Sequence, residues 1–311
     1  MHQNKYQNKY TQHVPVLLEE VLRYLNPHKK ESYLDVTAGY GGHARAILEQ
    51  TTNFKDSVLV DRDENAIKEL KSEFQGTSIE IKWQDFLTSS QELIKEGRRF
   101  DLILGDLGVS SPHLNEGNRG FAIKESAPLD MRMDQRQAID ARTILNTYSE
   151  DAIADILNKY GEEPKSRQIA RLIVQHRPLE STDELAAIAS RAWPGHSRVH
   201  PATRTFQALR IAVNDELRLL EQALPLWSEL LNPGGRIGII SFHSLEDRIV
   251  KRSFSEKSGN RYDAELQLVT KHPVTASPNE LAFNPRSRSA KLRVAAKIKT
   301  QKKGNANANS G

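Results

Sequence analysis

Apolar positions along the chain switch between short continuous runs and spacings of three or four residues, the pattern of strands alternating with amphipathic helices. A first helix is predicted from Pro15, with Leu17, Leu18, Val21, Leu22 and Leu25 on one face. Four short strands are predicted at Tyr33-Leu34-Asp35-Val36, Ser57-Val58-Leu59-Val60, Ile79 to Trp83 and Phe100 to Leu104, with helical periods such as Ala66, Ile67, Leu70 and Phe74 between them. This alternation predicts a parallel sheet covered by helices. After Asp106 it stops for about a hundred residues. An irregular stretch, Ser111 to Asp134, leads into helical periods at Ile153, Ile156, Leu157 and Tyr160, then at Ile169, Leu172 and Ile173. A further helix follows Ser181, which Glu184 three residues on completes as a capping box. The α/β pattern then resumes. Phe206, Leu209, Val213, Leu217, Leu220 and Leu224 predict one long helix ended or kinked by Pro225. Asn232-Pro233-Gly234-Gly235 turns it into a strand from Arg236 to Ser241, and strands near Glu265 to Thr270 and Lys291 to Ala296 close the sheet as an antiparallel pair.

The expected organisation is one α/β domain, residues 13–110 and 205–298, interrupted by an all-helical insertion at 111–204 that is a candidate for substrate recognition. Residues 1–12 and 299–311 are too polar to pack and are expected to be disordered. The 311 residues suit one compact domain, or one plus a smaller module. No run approaches the roughly 18 apolar residues of a membrane span, and the first ten residues lack the apolar core of a signal peptide. A cytoplasmic protein without a membrane partner is therefore expected. The net charge of +4 is uneven: residues 284–311 carry eight Lys and Arg and no acid, which leaves the remainder net acidic. Such an end either contacts phosphate or is a solvated tail. Residues 111–200 hold 13 acids and 12 bases, so the insertion is no generic basic clamp. Cysteine is absent, which excludes disulfides, thiolate metal sites, iron–sulfur clusters and thiol nucleophiles.

The strand ending at Asp35 runs into Val36-Thr37-Ala38-Gly39-Tyr40-Gly41-Gly42-His43 and then a helix. Glycines there permit positive φ and close backbone approach, and the helix N-terminus offers amide N–H groups to an anion. Asp61, at the end of the second strand, is spaced to accept from ribose hydroxyls. Together these predict a nucleotide-type cofactor. Ala44 stands at the third glycine of a dinucleotide fingerprint, Asp35 fits poorly with a pyrophosphate, and no Gly-Lys-Ser/Thr follows to make a P-loop. S-adenosylmethionine fits better, because it is cationic at sulfur and at its amino group and carries a single carboxylate. After the third strand, Asp85 offers a carboxylate to an adenine amino group and Phe86 a ring to its face, with plain core packing the alternative for Phe86. Strand four ends in Leu104-Gly105-Asp106-Leu107-Gly108-Val109-Ser110-Ser111-Pro112-His113. Asp106 is the carboxylate best placed to orient a methyl acceptor, the alternative being a turn cap.

At these residues the sequence resembles the bacterial RsmH family, also called MraW, which methylates the cytosine N4 position of small-subunit ribosomal RNA. The resemblance runs from His13-Val14-Pro15-Val16-Leu17-Leu18 to Asn284-Pro285-Arg286-Ser287-Arg288-Ser289. Between them lie Gly41-Gly42-His43-Ala44-Arg45, Asp61-Arg62-Asp63, Asp106 to Pro112, Pro128-Leu129-Asp130-Met131-Arg132-Met133-Asp134, His200 to Gln207 and Ser241-Phe242-His243-Ser244-Leu245-Glu246-Asp247-Arg248. It implies a Rossmann-like class I S-adenosylmethionine-dependent methyltransferase with a helical insertion, cytoplasmic, with a homodimer possible. It also implies cofactor contacts at Gly41, Gly42, His43, Asp61, Phe86, Asp106 and His113, where His113 replaces a glutamine common in the family. The partner it implies is small-subunit ribosomal RNA or the 30S subunit.

Chemistry narrows the acceptor. Methylation at pyrimidine C5 generally uses a thiolate that this chain lacks, whereas an exocyclic amine needs only alignment and a suitable field. A carboxylate at Asp106 accepting an N4 hydrogen favours localisation of the nitrogen lone pair, and the base must be unpaired or flipped to reach it. His243 lies on the same rim and is a candidate for touching the acceptor nucleotide, a structural hydrogen bond being the alternative. Arg132 and Arg204 are candidates for holding phosphates, with solvated or ion-paired arginine the alternative. No clustered His, Asp or Glu spacing points to a metal. The rivals are a DNA amino-methyltransferase, for which no sequence-reading module is found, and a non-catalytic assembly factor, which retention of Asp106 and the whole glycine loop argues against.

Overall fold

The computed structural model describes residues 15–109, 119–123, 125–193, 199–259 and 262–298; His113 and the segments 1–12 and 299–311 lie outside it. The elements up to the insertion are α1 (Leu18–Leu25), β1 (Tyr33–Asp35), α2 (Gly42–Thr51), β2 (Val58–Asp61), α3 (Glu64–Glu73), β3 (Glu80–Trp83), α4 (Phe86–Lys95) and β4 (Phe100–Asp106). Helices α5 (Ala141–Thr147), α6 (Glu150–Gly161), α7 (Ser166–Gln175), α8 (Thr182–Arg191) and α9 (Thr203–Asn214) follow without a strand. Then come α10 (Glu216–Leu230), β5 (Leu231–Ser241), α11 (Ser244–Glu256), β6 (Leu266–Leu268), α12 (Pro278–Phe283) and β7 (Lys291–Lys297).

The strands form one sheet in the order β3-β2-β1-β4-β5-β7-β6. The first five are parallel, and β7 runs antiparallel to both β5 and β6. Successive side chains of β4 point to opposite faces, so Leu102 and Leu104 meet α1, α2 and α3, while Ile103 meets α4, α10 and α11. Burial on both faces explains why β1, β2 and β4 read as continuous apolar runs. The order reverses between β1 and β4, and in open sheets of this kind the ligand crevice lies at that point, outside the carboxyl ends of the strands.

Two expectations are corrected. The predicted long helix is two: Asn214 ends α9, and Asp215, at φ 51, serves as the C-cap of one helix and the N-cap of the next. The side chain of Asn214 accepts from the Met133 amide (2.8 Å) and donates to the Met131 carbonyl (2.7 Å), tying the break to the segment before α5. Pro225 neither ends nor breaks the second helix, which continues to Leu230. Leu220, Ala223, Leu224, Trp227 and Leu230 are buried against the sheet, and that burial outweighs the missing hydrogen bond. The second correction concerns α9, which the sequence reading puts with the sheet. Its Phe206, Ala208, Leu209 and Val213 share an apolar cluster with Ile144, Ile153, Leu157, Ile169 and Leu185 of the preceding helices.

Candidate active site

Three strand ends bring carboxylates to the crevice: Asp35 from β1, Asp61 from β2 and Asp106 from β4. The glycine loop is strung between them. Gly39 and Gly41 adopt φ of 52° and 80°, which glycine reaches without strain. At Gly42 an added Cβ would lie 2.6 Å from the Pro15 ring, so only glycine lets the loop pass beneath the residues before α1. Gly41 caps α2, and no side-chain cap hydrogen bond closes the N-terminus of that ten-residue helix.

Asp61 does more than await a ribose. Its carboxylate accepts from the Gly39 amide and from the Asp63 amide, each at 2.8 Å, and so holds the glycine loop against β2. The rest of that motif faces the insertion. Arg62 donates to the Asn214 carbonyl (3.1 Å), and Asp63 pairs with Arg119 at 3.4 Å, both side chains buried.

Asp35 is 1% exposed and accepts from the Tyr33 hydroxyl (2.6 Å) and the Thr37 amide (3.2 Å). Burial, helped by the nearby Asp106 carboxylate, pushes its pKa up to about 6 against the opposing pull of Tyr33, His43 and Thr37. A raised carboxyl stabilises the fold while protonated. Its contribution is therefore complete below the ordinary value of 3.8 and is lost as pH rises through about 6. The ligand-free protein is expected to lose on the order of 3 kcal/mol between these limits through this group, and Asp35→Asn to flatten that part of the profile. Urea unfolding at a series of pH values reads this directly; a wild-type profile that rises from pH 4 to 6 as steeply as the variant's would exclude it.

Asp106 donates its backbone N–H to the Thr37 hydroxyl (2.6 Å), and its side chain is 27% exposed. One oxygen, Oδ1, is buried without a hydrogen-bond partner. The other, Oδ2, stands 3.6 Å from Nε2 of His43, the second residue of α2. Both ring nitrogens of His43 are likewise buried and unpartnered. The unpartnered Asp106 oxygen, on the strand beside a helix N-terminus that no side chain caps, fits a ligand that is cationic at one end and carries a carboxylate. S-adenosylmethionine has that chemistry.

Several sequence-chosen residues are employed differently. Phe86 is 8% exposed and packs edge-on against Trp227, ring centroids 5.5 Å apart, so it is chiefly core. Asp85 caps α4, accepting from the Leu87 and Thr88 amides at 2.9 Å, rather than standing open for an adenine. Arg132 is an ion-paired arginine: it pairs bidentately with Asp130 (2.7 and 3.0 Å) and donates to the Gln137 carbonyl (2.7 Å), stapling its own loop. Arg204 is exposed and donates once, to the Glu162 carbonyl (3.2 Å). The Glu162 carboxylate in turn accepts from Ser244 and Arg248 of α11, each at 3.0 Å, and these bonds hold its pKa below the usual range.

His243 is turned inward as the N-cap of α11. Its Nδ1 accepts from the Glu246 amide (3.3 Å), Nε2 lies 3.2 Å from the Glu246 carboxylate, and Glu246 accepts in return from the Phe242 and His243 amides. Burial pushes Glu246 up, but His243 and Arg210 outweigh it and leave its pKa below the ordinary value. Glu216, His243 and Glu246 bring one ligand atom each within 4.8 Å, a grouping invisible in the linear sequence. Arg210 already supplies the cation there, donating twice at 2.9 Å to Glu216. The residues that sequence reading missed are Asp35, Thr37, Arg210, Glu216 and Glu246. For Glu246 a signal existed, the i to i+3 spacing of a capping box with His243 in the cap position.

A five-stranded parallel sheet continued by an antiparallel pair, with a glycine loop and acidic strand ends at its switch point, defines a class I methyltransferase that uses S-adenosylmethionine. The sequence profile of the MraW methylase family matches residues 10–298, and the chain belongs to that family. It is similar to a ribosomal RNA small subunit methyltransferase H from a Cyanothece species, 48% identical over 92% of this chain and 95% of the relative. A protein of the same name from Heliobacterium mobile is 47% identical over 92% of this chain and 99% of its own length. A solved rRNA methylase from Streptococcus thermophilus aligns over 93% of this chain and 100% of its own at a TM-score of 0.42 and 9% identity, too loosely to add to the topology.

Proposed function

We propose that this protein transfers the methyl group of S-adenosylmethionine to the exocyclic N4 of a cytidine in small-subunit ribosomal RNA. The observation that carries the reading is Asp106: a carboxylate at the end of β4 with a buried, unpartnered oxygen, in a chain that has no thiol for C5 chemistry. The methylase family and the names of the relatives support the substrate class.

In this reading the α2 amides at Gly42 and His43 hold the cofactor's carboxylate, Asp35 and Asp106 face its cationic end, and Asp61 takes the ribose hydroxyls while keeping Gly39 in place. The bound cofactor supplies a methyl group already activated by its positive sulfur. The protein then aligns the amine and excludes water. Asp106 accepts one N4 hydrogen, turning the nitrogen lone pair out of the ring and toward the methyl, and offsets the charge that develops on nitrogen. The helical segment from residue 119 to Asn214 is the unit proposed to present the flipped nucleotide, with Arg204 and Arg248 at the seam near His243 as phosphate contacts. His113 stays a candidate cofactor contact. The cytoplasm is the expected compartment; among the described residues no helix is long and apolar enough to cross a membrane. A homodimer is the assembly implied by the family resemblance.

The test is the modified nucleoside. Small-subunit RNA and 30S particles lacking the methyl group are incubated with the protein and cofactor, digested, and analysed by mass spectrometry, with N4-methylcytidine the expected product. Label on C5 or on a ribose hydroxyl would overturn the assignment, and the better of the two substrates identifies the form in which the RNA is recognised.

A further inference from the structure

We propose that His43 is the group to which Asp106 passes the proton released by methyl transfer, the two forming a buried relay. The proposal rests on the assignment of Asp106 to the amine made above.

The observation is an imidazole that makes none of the bonds a merely structural histidine makes. His43 is 6% exposed, yet neither ring nitrogen has a hydrogen-bond partner. A buried ring ordinarily donates from one nitrogen to a carbonyl or carboxylate. Nε2 instead faces Oδ2 of Asp106 at 3.6 Å, beyond hydrogen-bond length. At that separation no hydrogen bond joins the two groups, and a proton carried between them would supply one. Among the described residues, the charged and titratable groups shown to act at the ring are Asp106 from β4 and Asp35 from β1, with Tyr33 donating to Asp35.

The chemistry needs such an acceptor. The N4 lone pair forms the new nitrogen–carbon bond, and the sulfur–carbon bond breaks with its electrons remaining on sulfur. Nitrogen, now positive, sheds one of its two hydrogens as a proton. Asp106 is within reach of that hydrogen and takes it, and Nε2 of His43 takes it from Asp106, so the carboxylate is restored before the product leaves. The proton passes to solvent once the products have left.

The experiment compares full-length wild type, His43→Gln and His43→Ala in single-turnover methylation of an unmodified small-subunit RNA transcript, with cofactor affinity measured separately by calorimetry. His43→Gln keeps the ring's bulk and polarity but carries no proton onward. It is expected to bind cofactor close to wild type, because the α2 amides and not the ring hold the carboxylate, and to transfer methyl on the order of a hundredfold more slowly. His43→Ala is expected to regain at least about tenfold on addition of imidazole, in proportion to its free-base form, whereas Asp106→Asn should gain nothing. A folded His43→Gln protein that transfers at full speed, a defect confined to cofactor affinity, or the absence of imidazole rescue would each overturn the relay. If wild type places no methyl on cytidine N4, the functional reading itself has failed and the relay falls with it. If wild type does so and His43→Gln is equally fast, only the relay is lost.

Discussion

Asp106→Asn is expected to slow methyl transfer by about 10²- to 10³-fold while leaving the fold intact. The position is nearly free of structural duty. The hydrogen bond to Thr37 comes from the backbone amide, and side-chain Oδ1 has no partner to lose. The amide is isosteric, but it lacks the charge that draws the N4 hydrogen and opposes the positive charge developing on nitrogen. Asp106 also faces the cofactor's cationic end, so affinity and rate must be separated. A single-turnover rate at saturating cofactor, beside a thermal melt, does this. A variant that melts like wild type and transfers within a few-fold of its rate would remove Asp106 from the chemistry.

The largest effect on stability is expected at Arg210→Met. The guanidinium donates twice to Glu216, and its charge acts on Glu246, where α9, α10 and α11 meet. Glu216 and Glu246 are buried, so removing the cation strands two carboxylates out of water, at about 3–5 kcal/mol. For a protein of this size that is a fall in melting temperature on the order of 10 °C. Combining Arg210→Met with Glu216→Leu should recover part of the loss, since an apolar pair of similar volume often replaces a buried ion pair at little cost. A single mutant within 1 °C of wild type would show that the network is not the buried cluster described.

Much of the architecture was legible because it is written in local periodicities. β1 to β4, the closing antiparallel pair and the helical interruption all follow from apolar spacing, and the cofactor crevice from glycines followed at a fixed distance by Asp61. What escaped was set by partners far away in sequence. The continuous apolar spacing from Phe206 to Leu224 could not reveal the break at Asp215, because Asn214 is held by Met131 and Met133, about eighty residues earlier. Arg132 and His243 drew attention as a cation and an imidazole in family motifs. Whether such a group faces RNA or its own neighbours depends on side-chain pairing that no period encodes, and here Asp130 and Glu246 claim them. In the sequence Asp35 speaks only against a pyrophosphate. Its burial beside Tyr33, His43 and Asp106 is a product of the fold.

The interruption between β4 and β5 also bears on how the chain reaches this fold. These strands are hydrogen-bonded neighbours, yet Asp106 and Leu231 are separated by roughly 120 residues. Closing a disordered loop of that length would cost about 4 kcal/mol in chain entropy before the first ladder bond formed. The intervening helices have an apolar cluster of their own, built from contacts among themselves. Val109 at one end packs on that cluster, and Asn214 at the other is fastened to Met131 and Met133. A segment that condenses by itself presents its two ends as a short connection, and the central parallel pair of the sheet then closes at the entropic cost of a small loop.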